Sequence, residues 1–539
     1  MNKKKIISLF TLAAAVATLP ACNDFLEEMP DNRTELDTGD KIVNVLVSAY
    51  SEYPYTIISE FASDNVDEIV LENPQFDPEQ EEYYRWQDVT SSTYNEAPQA
   101  VWTGLYKAVG TANHALEAIE KLGGATTDQL KAAKGEALLC RAYGHFLLVN
   151  LFCQAYNPAY ADTDMGIPYI TKPETSLDPK YDRGTVAGVY ERIYDDLQDG
   201  LPLINDSYYK QPKYHFNRQA AYAFAARFYL FYQKWDECIA AANEVFNNGS
   251  PATMMRDLAA NGKMNMQSAD GQTLLRTMDY INSAHSCNLL LQPGITQVPG
   301  LCFGPYEAVT GFTHGNLLNS TETFEAQTAP WATKGDYKLY SAPFTMQDAS
   351  ADKSFAWRCP YLFEIKDPVM QTGLPRYVYP AFTVEETLLC RAEAYIMKKE
   401  YTPALEDMNL WISKYVKPDA SKVQQLTTAN VDRWAKNTDF YTYDNPTVKK
   451  KIEAPAFPVE SGTQENMCYA LLHLRRVETA FLGLRWFDVK RYGITIYRRK
   501  VANATDVTGF TDILVARDPR SAMQIPPDVV AAGLEANPR

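Results

Sequence analysis

The feature that most constrains the fold is a pair of helices that the sequence contains twice. Residues 217–246 place alanine and aromatic side chains at helical spacing, and Lys234 and Trp235 lie near a turn between two antiparallel helices. Residues 383–415 repeat this order of small and aromatic side chains. The matching positions are Ala226 with Ala392, Tyr229 with Tyr395, Leu230 with Ile396, Trp235 with Tyr401, Cys238 with Ala404 and Asn243 with Asn409. Two alanine-rich helices could agree by coincidence, but the shared tyrosine, asparagine and turn aromatic favour a repeat.

These helix pairs resemble tetratricopeptide units, which stack into a superhelix. Further long helices are predicted at 102–121, 128–153 and 186–197, where apolar side chains recur every three or four residues. Two segments, about 250–382 and 416–462, contain many turn-forming residues and no long helical period. We predict a mainly α fold in which these two segments form ordered, loop-rich insertions on the helical scaffold.

The N-terminus has the three parts of an export signal. Residues 3–5 are lysines, an apolar run extends to about Leu19, and small Ala21 precedes Cys22. Because Leu19 to Cys22 resembles a bacterial lipobox, we predict a signal peptide at 1–21, lipid attachment at Cys22, and a polar tether at 22–40. The alternative is an ordinary cleaved signal followed by an incidental cysteine.

The composition excludes several kinds of ligand. The net charge is -16, and removal of a signal that carries three lysines and no acids makes it -19. A protein this acidic is a poor ligand for nucleic acid or anionic lipid, which bind basic surfaces. No CxxC pair or clustered Cys/His set indicates a zinc site. An exported protein could contain a disulfide, and Cys287 and Cys302, both in loop-like sequence, are the candidate pair, although spacing alone leaves this open.

Several motifs, in a fixed order along nearly the whole chain, resemble the SusD/RagB family of outer-membrane nutrient-binding lipoproteins of the Bacteroidetes type. The motifs are CNDFLEEMP after the signal, FASDNVDE at 61–68, GEALLCRAYGHFLLVNLF at 135–152, RGTVAGVYERIYDDL at 183–197, LRRVETAFLGLRWFDVKRYG at 474–493 and the terminal MQIPPDVVAAGLEANP. Each motif alone is weakly specific, but their shared order is a strong signal.

The resemblance implies tetratricopeptide-like helix pairs that carry a loop-rich second layer, in one domain at 41–539. It also implies a lipid-anchored protein at the cell surface, in the outer membrane, without cofactors or catalytic activity. Such a protein captures oligosaccharide, or in some members peptide, and passes it to a SusC-like TonB-dependent barrel transporter. The helix-pair side, at 217–246 and 383–415, is the predicted docking face for that barrel.

This sequence departs from the family pattern at Leu474, Leu482 and Val529, where acids are usual. Those acids would form structural ion pairs. The remaining Arg485 and Asp488 are three residues apart and are predicted to pair on one helix.

The competing interpretation is an enzyme, such as a surface glycan hydrolase, because such enzymes are exported by the same route. The sequence contains no GxSxG, HExxH or nucleotide-binding glycine motif, although two glycosidase carboxylates could be hidden among its 67 acids. Asp64, Asp67 and Glu68 could form such a cluster, and Asp162 with Asp164 could bind calcium. We interpret both groups as solvated loop acids that cap helices.

A glycan site needs several exposed aromatic faces beside polar side chains, because sugar rings pack on aromatic rings while their hydroxyls need partners. Two regions could provide such faces: the segment YYRWQD at 83–88 and the insertion at 250–382. The predicted ligand-binding residues are Tyr84, Trp86, Tyr280, Tyr306, Trp331 and Tyr337. We expect Trp86 and some of the insertion's aromatics to be exposed on one side, facing the barrel. For each residue, packing in the core is an equally good interpretation.

Overall fold

The first part of the chain is built from helices. The computed structural model describes residues 35–539 apart from 73, 75–76, 90–93, 175–179, 270–273, 305–310, 349 and 504. The predicted signal peptide and Cys22 therefore lie outside the described residues. The first helices are α1 (Gly39–Val45), α2 (Thr56–Ala62), α3 (Pro78–Tyr84), α4 (Pro98–Lys121), α5 (Asp128–Phe152) and α6 (Val186–Gly200). The three long helices predicted here are confirmed as α4, α5 and α6.

The two repeated segments form helix pairs in the structure. The remaining helices are α7 (Arg218–Phe231), α8 (Trp235–Val245), α9 (Leu258–Asn261), α10 (Leu275–Tyr280), α11 (Val298–Phe303), α12 (Asn316–Thr321), α13 (Val384–Met397), α14 (Tyr401–Tyr415), α15 (Thr428–Asn437), α16 (Thr463–Thr479), α17 (Arg485–Tyr492) and α18 (Pro527–Ala531). Helix α7 packs on α8, α13 packs on α14, and α8 packs on α13. The predicted mainly α fold, with stacked helix pairs, is confirmed.

Matching backbone conformations support the repeat. Gln233 and Lys399 have φ angles of 61° and 62°, and each lies two residues before the second helix of its pair. The first helices also begin alike: Asn217 accepts a hydrogen bond from the Ala220 N–H, and Thr383 accepts one from the Glu386 N–H. These side chains satisfy N–H groups that lack a partner within the first turn, which fixes where each helix starts.

Short strands run through the second layer, which otherwise consists mainly of turns and loops. They are β1 (Asp67–Ile69), β2 (Asn288–Gly294), β3 (Phe312–Thr313), β4 (Phe344–Asp348), β5 (Ala351–Phe355), β6 (Leu362–Asp367), β7 (Thr372–Thr383), β8 (Ile496–Ala502) and β9 (Asp506–Leu514). They pair in the orders β3-β1-β8-β9, β2-β7-β6 and β4-β5. Among the described residues of 250–382, no helix is longer than six residues. The second insertion contains α15, which the sequence analysis did not predict.

A buried cluster of charged side chains joins the start and the end of the chain. Glu322 accepts hydrogen bonds from Lys450 (2.6 Å) and Arg476 (3.0 Å), and Arg499 lies 2.7 Å from its other oxygen. Burial alone would raise the pKa of Glu322, but these three cations lower it to about 2. We define the ionic cluster as Asp64, Asp67, Glu322, Lys450, Arg476, Arg485 and Arg499.

The interpretation of Asp64 and Asp67 as solvated loop acids is wrong. Both side chains are buried. Asp64 pairs with Arg485 at 2.7 Å, and Asp67 pairs with Arg499 at 2.6 Å. The chain segment after α2 is enclosed by the C-terminal elements, so these carboxylates compensate buried guanidinium groups.

The predicted ion pair within the C-terminal signature is also wrong. Asp488 pairs with Arg475 (2.9 Å) and Arg491 (3.0 Å), while Arg485 turns to Asp64. Arg491 is three residues from Asp488 on the same helix, but spacing along one helix could not reveal the tertiary partners Arg475 and Asp64.

The cysteines of the described chain are free thiols. Cys287 and Cys302 do not form the expected disulfide. Cys140, Cys238, Cys390 and the other members of this set except Cys302 are buried, which agrees with a packing role for each.

Candidate functional site

The two aromatic residues predicted from YYRWQD are part of the core. Tyr84 is fully buried and Trp86 is 6% exposed. The Arg498 guanidinium lies 4.2 Å from the Tyr84 ring centre and 3.7 Å from that of Trp86. The Trp86 indole N–H donates to the Ala62 carbonyl (2.8 Å), and the Tyr84 hydroxyl donates to the Arg499 carbonyl (3.0 Å). These contacts hold β8 against the segment after α2.

The predicted aromatics of the insertion are buried as well. Trp331 packs 5.9 Å from Trp411 and 5.0 Å from His473, measured between ring centres. The Tyr337 hydroxyl is 3.1 Å from two backbone carbonyls, to which it can donate. The Arg256 guanidinium lies 3.8 Å from the ring centre of Tyr280. Tyr306 lies outside the described residues.

The expected exposure of these aromatic side chains is therefore wrong, with a physical reason. The loop-rich layer lies on the helices and has to bury apolar area against them, and its aromatic side chains are what it buries. Tyr84 and Trp86 pack around Arg498, whereas Trp331 packs on α14 and α16 through Trp411 and His473. The structure does not bring together, on one open surface, those predicted residues that it describes.

A different group of tyrosines lines a large open cavity, which we call the tyrosine cleft. Its volume is about 780 Å³, which lies within the usual range for ligand pockets. The tyrosine cleft is lined by Tyr50, Tyr53, Tyr208 and Tyr214, by the amides of Asn44, Gln129, Gln211 and Gln292, and by Lys107 and Lys210, among others. A sugar site needs aromatic faces for the ring and polar partners for the hydroxyl groups, and the tyrosine cleft offers both.

Several parts of the chain form the walls of the tyrosine cleft. Helix α1, the end of β2 and two 3-10 turns, Asp206–Tyr208 and Pro212–Tyr214, surround it, and α4 closes one side at Gly104. A Cβ atom on Gly104 would lie 2.5 Å from the Tyr53 ring and 2.7 Å from the Ser51 hydroxyl. Only glycine allows the Tyr53 ring to lie this close to α4.

The back wall of the tyrosine cleft is held by hydrogen bonds. The Tyr50 hydroxyl donates to Glu136 (2.8 Å) and accepts from the Phe216 N–H (2.7 Å). The His215 Nδ1 lies 2.7 Å from the same Glu136 oxygen. Burial, followed by negative neighbours that include Glu136, raises the pKa of Tyr50 well above its ordinary value. Tyr50 is therefore fixed as a neutral structural residue.

The front of the tyrosine cleft is more open. Tyr53 and Tyr208 are half-buried, and Tyr214 is 37% exposed. The acids at its rim have partners: Asp40 accepts from the Gln129 amide (2.7 Å), and Glu52 pairs with Arg376 (3.1 Å). Within the described chain, no group of three or more potential metal ligands occurs. The arrangement can bind a polyhydroxylated ligand by stacking and hydrogen bonding.

Sequence reasoning missed Tyr208 and Tyr214, although a signal was present. The stretch SYYKQPKYHF at 207–216 places three tyrosines among lysine, glutamine and proline. This composition marks the segment as a candidate site, but it does not single out the open residues, because Tyr209 and Phe216 of the same stretch are buried.

Comparison with known proteins places this architecture in one class. A SusD superfamily protein of Bacteroides thetaiotaomicron aligns with a TM-score of 0.61 at 18% identity, over 94% of this chain and 100% of its own. A SusD superfamily protein of Bacteroides vulgatus gives 0.59 at 16% identity, over 94% and 99%. A SusD-like carbohydrate binding protein of Bacteroides vulgatus gives 0.58 at 14% identity, over 93% and 97%. The helix pairs with their loop-rich second layer thus form the SusD fold.

A sequence match supports the same assignment. Residues 24–230 match the SusD-like family model described as starch-binding associating with outer membrane. Curated proteins provide no match to this chain. The family model that matches residues 24–230 and the SusD fold of the described chain both agree with the SusD/RagB resemblance of the motifs. None of the helices in the described part of the chain is long and apolar enough to cross a membrane.

Proposed function

We propose that this chain is a non-catalytic surface lipoprotein that captures oligosaccharide and passes it to a TonB-dependent outer-membrane transporter. The observation that carries the capture step is the tyrosine cleft, in which four tyrosines and several amides surround about 780 Å³. The carbohydrate-binding relatives and the starch-binding description of the matched family support the same ligand class.

The chemistry of the tyrosine cleft suits a sugar. A pyranose ring offers C–H groups to an aromatic face, and each such contact contributes on the order of 1 kcal/mol. Tyr53, Tyr208 and Tyr214 offer three such faces, and Gln129 and Gln211 offer both donors and acceptors to hydroxyl groups. Several weak contacts of this kind give binding that is useful yet reversible, as transfer to a transporter requires.

Peptide capture is the alternative within the same family, and a surface glycan hydrolase is the alternative outside it. Incubation of the purified protein with panels of oligosaccharides and peptides separates the three. Saturable binding of an oligosaccharide without new products supports the proposal. Saturable peptide binding alone supports the first alternative, and turnover of the oligosaccharide supports the second.

The proposed anchor is the lipid on Cys22. Stable attachment needs more than one acyl chain or a second signal, which diacylglycerol on the cysteine supplies. We expect Cys22→Ser to release the protein from the membrane fraction or to leave it unprocessed, because the thiol that accepts the lipid is gone. Fractionation followed by mass spectrometry of the N-terminus measures this, and unchanged membrane retention would contradict the anchor.

The proposed partner supplies the route inward, because a surface-bound capture protein needs a separate pore. Docking of an obligate lid should bury well above about 2,000 Å² and survive mild detergent. The helix pairs α7–α8 and α13–α14 are the proposed docking face, since stacked helices present a broad and rigid surface. Purification from the native membrane should recover a TonB-dependent barrel together with this protein, and repeated recovery without one would contradict the partner.

A further inference from the structure

The strands β6 and β7 form a ribbon that projects beyond its own sheet. β7 pairs with β2 only as far as Tyr377, which lies opposite Gly294. Residues 372–376 of β7 pair with β6 alone, so about 17 Å of two-stranded ribbon extends past the sheet. A two-stranded ribbon is marginally stable in water without a further packing surface. We call residues 362–376 the projecting hairpin.

One face of the projecting hairpin is entirely apolar. Phe363 lies opposite Pro375 and Ile365 lies opposite Gly373, and side chains at opposite positions share a face. Phe363 is 49% exposed and Ile365 is 50% exposed. The charged side chains are on the other face, where Arg376 and Lys366 both pair with Glu364.

The tip of the projecting hairpin displays two more apolar side chains. Val369 is 89% exposed and Met370 is 69% exposed. Their backbone N–H groups donate to the Asp367 carboxylate at 2.8 and 3.0 Å, and the Gln371 amide donates to the Pro368 carbonyl at 2.6 Å. The turn is thus ordered by its own polar groups while its apolar side chains point into solvent. Exposed apolar side chains concentrated in one short hairpin are typical of an interaction site.

We infer that the projecting hairpin docks an extended, strand-forming segment of the membrane transporter, an inference that rests on the proposed function. Among the described residues, β6 is the edge of its sheet, and it contains no proline, so its N–H and C=O groups can accept another strand. The apolar face would then pack on the side chains of the added segment. β7 continues to Thr383, the N-cap of α13, so the projecting hairpin is joined directly to one of the proposed docking helices.

The position of the tether supports a partner at the membrane. Residues 22–34 could span at most about 45 Å when fully extended. Helix α1, to which that segment leads, lines the tyrosine cleft together with Pro293 at the end of β2. Arg376 at the base of the projecting hairpin pairs with Glu52 (3.1 Å) on the segment that follows α1. The projecting hairpin therefore leaves the molecule from the region to which the tether leads.

A protein partner fits the projecting hairpin better than the lipid itself. Hydrocarbon cannot satisfy the open backbone edge of β6, whereas a strand or loop of a protein can. The charged residues of the hairpin, Glu364, Lys366, Asp367 and Arg376, sum to zero, and the chain as a whole is acidic, so anionic headgroups gain nothing from this surface.

The test uses the full lipidated chain in its native membrane. A photo-crosslinking phenylalanine analogue at position 363 or 369 should form a covalent link to the transporter, and mass spectrometry of the linked peptides should locate it in an extracellular segment of the barrel. A link to a second copy of this chain, to lipid or to nothing while the barrel is present would overturn the inference.

Matched substitutions separate this inference from the proposed function. Val369→Asp with Met370→Asp should reduce the barrel recovered with this protein about tenfold or more, because both side chains would carry charge into an apolar contact. Val515→Asp is the control, since Val515 is a 52% exposed valine that is not part of the projecting hairpin. Thermal unfolding should not change in either variant. Recovery unchanged by the hairpin variant overturns the inference alone, whereas a wild-type chain that never recovers a barrel overturns the proposed partner as well.

Discussion

Polar side chains are buried and paired in the ionic cluster, whereas in the tyrosine cleft they line an open cavity. In the ionic cluster, Glu322 is fully buried and is matched by Lys450, Arg476 and Arg499. In the tyrosine cleft, tyrosine and amide groups line an open cavity in which Tyr214 is partly exposed. The first arrangement holds distant parts of the chain together, and the second leaves groups available to a ligand.

This difference separates stability from function in the same fold. Breaking a buried ion pair leaves an uncompensated charge and is strongly destabilising. Truncating a half-exposed tyrosine removes little packing, so its loss should affect binding alone. Substitutions in the two regions should therefore give opposite results in unfolding and binding measurements.

The largest expected effect is on the ionic cluster. Arg476→Met should lower the free energy of unfolding by about 3 to 5 kcal/mol, because Glu322 and Asp64 lose a shared cation while remaining buried. Lys121→Ala is the control, since Lys121 pairs with Glu117 at 3.0 Å on an exposed helix face, where about 0.5 kcal/mol is expected. Urea unfolding measures both, and equal losses would contradict the assigned role of the ionic cluster.

The next largest effect is on how the free energy of unfolding changes at acidic pH. Because the folded-state pKa of Glu322 is about 2, below its ordinary value of 4.5, its contribution is fully present above pH 4.5. That contribution, about 3 kcal/mol, should be lost as the pH falls from 4.5 through 2.

Urea unfolding at several pH values between 7 and 2 measures this response. In Glu322→Gln the stability should be lower at neutral pH, and its decline over the same acidic window should be shallower. An identical decline in both proteins would show that Glu322 does not titrate in this range.

The smallest effect is on the tyrosine cleft. Tyr208→Ala and Tyr214→Ala should each weaken oligosaccharide binding by about 0.5 to 1.5 kcal/mol and leave the unfolding midpoint unchanged, because each removes one stacking face. Tyr160→Ala is the matched control, since Tyr160 is exposed outside the tyrosine cleft and lies 4.0 Å from Arg517. Calorimetric titration with one oligosaccharide measures all three, and an equal loss in the control would contradict the location of the site.

The same comparison shows what the sequence could and could not reveal. The helix pairs were predictable because small and aromatic side chains at a period near 3.6 residues specify which face is buried. Around Ala226 and Ala392, this periodic pattern can be recognised from residues that are close in the sequence. Each family motif is also a short stretch of consecutive residues, and the resemblance that the motifs carry implied the fold class.

Tertiary partners and exposure could not be predicted in this way. Asp64 and Arg485 are far apart in sequence, so nothing near either residue indicates their bidentate pair. Trp331 and Tyr214 are both aromatic residues in irregular segments, yet the first is fully buried and the second is open. Which aromatic side chains face solvent depends on how the loop-rich layer lies on the helices, and composition does not encode that.

The location of bound sugar tests the central claim most directly. A crystal structure of the protein with a bound oligosaccharide should place a sugar ring in contact, within about 4.5 Å, with Tyr208 or Tyr214 in the tyrosine cleft. Hydroxyl groups of the same sugar should contact the amides of Gln129 or Gln211. A sugar bound instead in the separate cavity of about 510 Å³ beside Trp86, with the tyrosine cleft empty, would contradict the account.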